Sequence, residues 1–203
     1  MSLSLELRGS GLRRCGATTG LLAVLLTGCG SDGGAREPPA ADTDWRNTAY
    51  TVTCDGVAPD GFRATVVDGR ARVPADGSSP PYYDHYEVTV VSTAHGDVDG
   101  ERGAETAVLL ECSPQPSNGI LQEVVVLSSS GRALGTLPSS STLQGDALLP
   151  PLYDPDGLAM DDGEIVARML AYGPQDSRAD GPSIPFTVRW RLHDGRFVRT
   201  SSS

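Results

Sequence analysis

Short valine-rich runs, separated by clusters of glycine, proline, serine and aspartate, constrain this 203-residue chain more than any other feature. Runs of this length, rich in β-branched residues and bounded by turn formers, read as strands rather than helices. Glu105–Cys112 and Ile120–Leu127 are the two most apolar runs and predict buried strands. Thr48–Cys54 alternates, with Tyr50, Val52 and Cys54 on one face, and Tyr86–Val91 alternates as well. Phe62–Val67, the Asp68-Gly69 turn and Arg70–Val73 predict a hairpin. Phe186–Leu192, then His193-Asp194-Gly195, then Arg196–Thr200 predict another, because Asp-Gly supplies the backbone twist that a two-residue hairpin turn needs. Arg132–Leu137 returns as a short strand after Ser128-Ser129-Ser130-Gly131. Glu164–Tyr172 fits strand or helix, and a short helix fits 142–152. The pattern predicts a mainly-β fold: one small antiparallel β-sheet domain over residues 45–203, a meander closed as a barrel or stacked as a sandwich. No internal repeat of fixed period is present.

The first 28 residues follow another logic. Arg8, Arg13 and Arg14 form a basic opening, Gly20–Leu26 is an apolar run, and Leu26-Thr27-Gly28-Cys29 closes it. A basic start, a short apolar middle and small residues before a cut make a secretory signal. The run is too short for a span, which takes ~20 apolar residues. Leu26-Thr27-Gly28-Cys29 resembles the bacterial lipobox, which implies cleavage before Cys29 and a lipid on its thiol. The residues around Arg13-Arg14 fit twin-arginine export poorly. Residues 29–44 then carry the lipidated cysteine and a tether without apolar periodicity. The expected location is the outer face of the cell membrane.

All sixteen basic residues are arginine, which together with 24 Gly and 15 Pro points to a genome of high G+C content. Beyond residue 28 the chain keeps thirteen arginines against twenty-five acidic residues, a net charge of about −12. Such a balance disfavours nucleic acid and anionic lipid surfaces, so no nucleic-acid partner is expected. Of the four cysteines, Cys15 leaves with the signal and Cys29 carries lipid. Cys54 and Cys112 remain, and outside the cytoplasm a pair of this kind forms a disulfide. Two buried free thiols are the competing reading. Zinc is disfavoured, since neither cysteine has a second ligand at zinc spacing.

Candidate chemistry concentrates in His95–Glu105. Asp97, Asp99 and Glu101 recur at every second residue and Glu105 follows, a set of hard oxygen donors of the type calcium takes. The segment lacks the full EF-hand pattern, and an exposed acidic turn is the alternative. Tyr82, Tyr83 and Tyr86, beside Pro80-Pro81, suggest an aromatic patch of the kind that stacks on sugars or docks a partner; packing at a sheet edge is the alternative. His85, His95 and His193 fall in no catalytic motif, Asp84-His85 and Asp154-x-Asp156 are adjacencies expected in any acidic chain, and neither a nucleophile elbow nor a phosphate loop is present. No catalytic residue and no cofactor is expected. Trp190 and Phe197 are expected in the core.

Taken together, the lipobox, Trp45, Cys54, the stretch from Asp97-Val98-Asp99-Gly100 to Cys112, Val124–Leu127, Gly131, Leu134-Gly135 and the closing Val188–Arg191 and Asp194–Phe197 resemble small actinobacterial cell-envelope lipoproteins of the LppP/LprE kind. The resemblance covers most of 45–200. It implies an envelope location and a β-fold, and no activity. Where some such proteins have a second cysteine pair, near Gln175–Pro182, this chain has Asp176-Ser177-Arg178-Ala179-Asp180. The reading that follows is a non-enzymatic binding or structural module of the envelope, joined to the membrane through lipid and to an envelope protein or wall glycan. The alternatives are a hydrolase of wall polymer and a calcium-stabilised scaffold.

Overall fold

The computed structural model describes residues 43–77, 81–101 and 103–202. The signal, Cys29 and nearly all of the tether lie outside the described residues. Among the described residues, eleven strands form three antiparallel sheets. β1 (Ala49–Val52) and β2 (Phe62–Thr65) form a two-stranded layer. β3 (Arg70–Pro74), β4 (His85–Gly96), β5 (Glu105–Gln115), β6 (Leu121–Leu127) and β7 (Ala133–Thr136) form a central sheet in that order. β8 (Leu152–Asp161), β9 (Glu164–Ala171), β10 (Ile184–His193) and β11 (Arg196–Ser202) form a four-stranded sheet, ordered β11-β10-β9-β8. The mainly-β, antiparallel expectation holds. Of the two expected arrangements, none of these sheets closes into a barrel, and they pack face to face through shared cores, as in a sandwich.

Two cores explain why β5 and β6 read as unbroken apolar runs. Successive residues of a strand point to opposite faces. Ala107, Leu109, Val124 and Val126 pack against Ile165, Met169, Val188, Trp190 and Phe197 of the four-stranded sheet. Their neighbours Val108, Leu110, Val125 and Leu127 pack against Tyr50, Val52, Ala64 and Val66 of the small layer. A strand buried on both faces cannot alternate polar with apolar. The four-stranded sheet is covered on one face only, so β10 does alternate: Val188 and Trp190 are buried, while Arg189 and Arg191 carry ion pairs outside.

Three differences from the sequence reading have physical causes. The Asp68-Gly69 turn forms, with φ of 52° and 79°, but the hairpin beyond it ends after the single bridge Val67↔Arg70. β2 pairs with β1 and β3 with β4, so the strands part to cover different layers. The 142–152 segment holds only the end of a 3-10 turn, Ser140–Leu143, and runs into β8, which begins at Leu152 and was not predicted. β8 is hard to recognise because Pro155 and Gly157 interrupt it, and its register with β9 shifts between Tyr153 and Leu158. Proline is tolerated there because β8 is an edge strand. Between strand and helix, residues 164–171 are strand, Tyr172 lies just beyond it, and the deciding element is Asp162-Gly163. Its φ values of 51° and 73° match those of Asp194-Gly195 at 48° and 73°, the type I′ geometry that joins two antiparallel strands.

Cys54 and Cys112 form a disulfide, with Cα atoms 5.3 Å apart and both residues fully buried. The bridge joins the end of the small layer to β5, the middle strand of the central sheet.

Candidate functional site

The β4–β5 connection gathers the acidic residues singled out in the sequence. Val98 is 6% exposed and packs into the core between the two large sheets, which anchors the loop's first half. The Val98 N–H donates to Glu105 Oε2 at 2.9 Å, so the start of β5 is tied back across the loop. Gly100 N donates to Asp97 Oδ1 at 2.7 Å and Glu101 N to Asp99 Oδ1 at 2.8 Å. The result is a group in which carboxylate oxygens of Asp97, Asp99 and Glu105 all lie within 4.8 Å of one another. Glu101, the fourth residue of the predicted set, is exposed and outside this group. Gly100, at φ 74°, turns the chain between Asp99 and Glu101, which breaks the alternation on which the four-residue set was predicted.

Glu105 is 2% exposed. Burial raises its carboxyl above the ordinary glutamate value, the Val98 N–H opposes that rise, and the charges of Asp99 and Asp97 reinforce it. Beside the group lies a surface cavity of about 400 Å³, bordered by Asp97 and Val98 on one side and by Met160, Asp161 and Asp162 on the other. Asp161 and Asp162 escaped the sequence reading. The Asp-Asp-Gly turn was the available signal, but nothing local shows that the β8–β9 turn sits beside the β4–β5 loop. The donor set is all hard oxygen and strongly negative, which fits a hard cation completed by backbone oxygens or water.

The structure separates the predicted tyrosines. Tyr82 is 66% exposed. Tyr86 stacks on Phe62 with ring centroids 4.5 Å apart and an interplanar angle of 17°, and both rings lie against the core beneath the small layer. Tyr83 meets Tyr86 with ring centroids 6.0 Å apart and an interplanar angle of 59°. The cluster is therefore an aromatic edge with one ring in solvent. Phe62 could be assigned to it only once β2 was placed over β4.

The histidines do not converge. His85 opens β4, between Arg72 Nη2 at 3.3 Å and Glu87 Oε1 at 3.4 Å. His95, near the other end of the same strand, contacts Thr106 Oγ1 at 2.9 Å. His193 sits exposed in the last hairpin. Asp154 is engaged by Arg168 Nε at 2.7 Å, and that hydrogen bond holds its carboxyl below the usual range. Trp190 and Phe197 are buried, as the sequence predicted.

One polar centre was not anticipated. Glu123, 4% exposed on β6, accepts hydrogen bonds from Thr53 N and Oγ1 and from Asp55 N. Cys54, Asp55 and Gly56 all have positive φ there, so the carboxylate holds a left-handed turn beside the disulfide. The Asp55 carboxyl is raised by burial, with a Ser139 hydrogen bond opposing. Glu123 stands inside Ile120–Leu127, predicted as a buried strand, and nothing local in that run marks it as the partner of Thr53, 70 residues away.

Comparison of the chain with protein-family models, with curated proteins and with solved structures gives no match.

Proposed function

We propose that this chain is a lipoprotein of the LppP/LprE kind, held to the outer face of the cell membrane through lipid on Cys29. In this reading its β-domain is a non-enzymatic binding module of the envelope. The observation that carries the reading is the fully buried Cys54–Cys112 disulfide. Such bridges persist in exported proteins and are rare in cytosolic ones, in agreement with the basic start, apolar run and Leu26-Thr27-Gly28-Cys29 of the N-terminus. The partner is an envelope protein or a wall glycan, met at the aromatic edge led by Tyr82. Intact mass of the protein extracted from its native membrane tests the anchor. The expected chain starts at Cys29 with a diacylglyceryl or triacyl addition and gains two hydrogens on reduction. An unlipidated chain with another start overturns the reading. For the partner, Tyr82→Ala is expected to weaken pull-down by purified wall glycan or by envelope protein, and equal retention by both overturns the assignment to this edge.

The convergence of Asp97, Asp99 and Glu105 favours a second reading, that of a calcium-stabilised scaffold. A calcium titration followed by thermal unfolding tests it.

A further inference from the structure

The chain enters the described domain through a segment fastened at both of its ends. At the entry, Asp44 accepts hydrogen bonds from Arg46 N at 3.0 Å and from Asn47 Nδ2 at 2.7 Å. Arg46 Nη2 donates to the Asp68 carbonyl at 2.7 Å, and Gly69 N donates to the Arg46 carbonyl at 2.7 Å. Asp68 N donates to Asn47 Oδ1 at 2.9 Å, and the Tyr50 hydroxyl donates to the Trp45 carbonyl. Three of these bonds clasp Arg46 and Asn47 to the Asp68-Gly69 turn, and the other three brace residues 44–50 internally. At the exit, Thr53 and Asp55 are held by Glu123, and Cys54 is joined covalently to Cys112. The opposite terminus is built differently. β11 is an edge strand paired to β10 alone, with most of its residues exposed.

We propose that Asp44–Asp55 is a mechanical fastening, which passes tension arriving from the N-terminal side directly into the middle strand of the central sheet. One hydrogen bond contributes only ~1 kcal/mol, but the clasp presents several to the same pull. Behind them stands a covalent stop. Because Cys54 and Cys112 are 58 residues apart in sequence, the chain between them lies on a closed loop that tension bypasses. Once the clasp has given way, β2, the Asp68-Gly69 turn and all of β3 and β4 are therefore shielded. No covalent stop lies between β6 and the C-terminus, so tension from that side reaches each strand in turn. The asymmetry follows from connectivity and hydrogen bonding. Its use, to hold an envelope domain on its tether, rests on the anchored reading above.

Single-molecule force spectroscopy on the full oxidised chain tests the inference in two pulling geometries that share a handle at Asn118. With the second handle at Thr43, only about seventeen residues can extend, roughly 60 Å at ~3.5 Å per residue. With it at Ser202, about eighty-four can extend, roughly 290 Å. The expected result is a higher first rupture force for the Thr43 pull, and an extension that stops near the shorter limit. Asn47→Ala, which leaves the disulfide in place, is expected to lower the Thr43-side force and leave the Ser202-side force unchanged. A Thr43-side force equal to or below the Ser202-side force overturns the proposal, as does an Asn47→Ala variant with an unaltered force. Neither result bears on the anchor, which the intact mass of the membrane-extracted protein decides separately.

Discussion

The Glu123 carboxylate accepts hydrogen bonds from both the backbone N–H and the hydroxyl of Thr53, 70 residues earlier in the chain. A charged group on one of the most buried strands thus fixes the exit of β1, where three consecutive residues take left-handed backbone conformations. Burying a carboxylate is costly unless its oxygens are met by donors. Here the Thr53 and Asp55 donors meet it, and it meets them.

Removing that acceptor strands several donors. Glu123→Ala is expected to destabilise the fold by about 2–4 kcal/mol, the loss of hydrogen bonds to a charged group plus buried donors left unpaired. Glu123→Gln keeps one acceptor oxygen and is expected to cost less than half as much. Urea unfolding checks both: the midpoint falls in that order while the slope is unchanged. Equal midpoints for Ala and wild type would show that the turn does not depend on Glu123.

The disulfide closes a long loop of the unfolded chain. Cys54→Ser with Cys112→Ser is expected to lower stability by ~4 kcal/mol in the chain-entropy model. The measurement is urea unfolding of wild type with and without reductant, beside the double variant. Reduced wild type and the variant should share one midpoint well below that of the oxidised protein.

Glu105 gives a pH dependence with a definite sign. Burial, opposed by the Val98 N–H, leaves its folded-state pKa above the unfolded value, so the folded protein binds its proton more tightly. Stability from this group is therefore fully present below the unfolded glutamate pKa and is lost as pH rises through the folded one. Glu105→Gln keeps an oxygen for Val98 N–H and removes the charge. It is expected to be more stable than wild type at pH 7, with the difference vanishing below about pH 4, the unfolded glutamate range. Thermal unfolding from pH 3.5 to 7.5 in chelator shows whether the two curves converge on the acid side.

Calcium reverses that balance if the three carboxylates hold it. For a dissociation constant of ~1 mM, at the weak end of extracellular calcium modules, 10 mM calcium stabilises the folded state by about 1.4 kcal/mol. Asp97→Asn with Asp99→Asn should abolish the response, whereas Glu101→Gln, outside the group, should leave it intact. A wild-type melting temperature that ignores calcium removes the scaffold reading.

Much of the fold was legible because it is locally encoded. β5, β6 and the last hairpin announce themselves through apolar runs and an Asp-Gly turn, signals carried by adjacent residues. β8 was not legible, because Pro155 and Gly157 suit an edge strand that nothing nearby identifies as one. Within the acidic segment, the sequence supplied Asp97, Asp99 and Glu105 but could not exclude Glu101, since the direction of a turn at Gly100 depends on where Val98 is buried.

Sequence alone determined the strand-rich character, the reduction to one cysteine pair beyond Cys29, and the burial of Trp190 and Phe197, because hydrophobic periodicity, turn chemistry and residue type are properties of short stretches. Tertiary structure decided which layer each strand joined, that Phe62 stacks on Tyr86, that Asp161 and Asp162 border the same cavity as Asp97, and that Glu123 belongs inside. Each of these depends on residues far apart in the chain meeting across a sheet or between layers. Local pattern does not fix such meetings; the packing of two cores against one doubly buried sheet does.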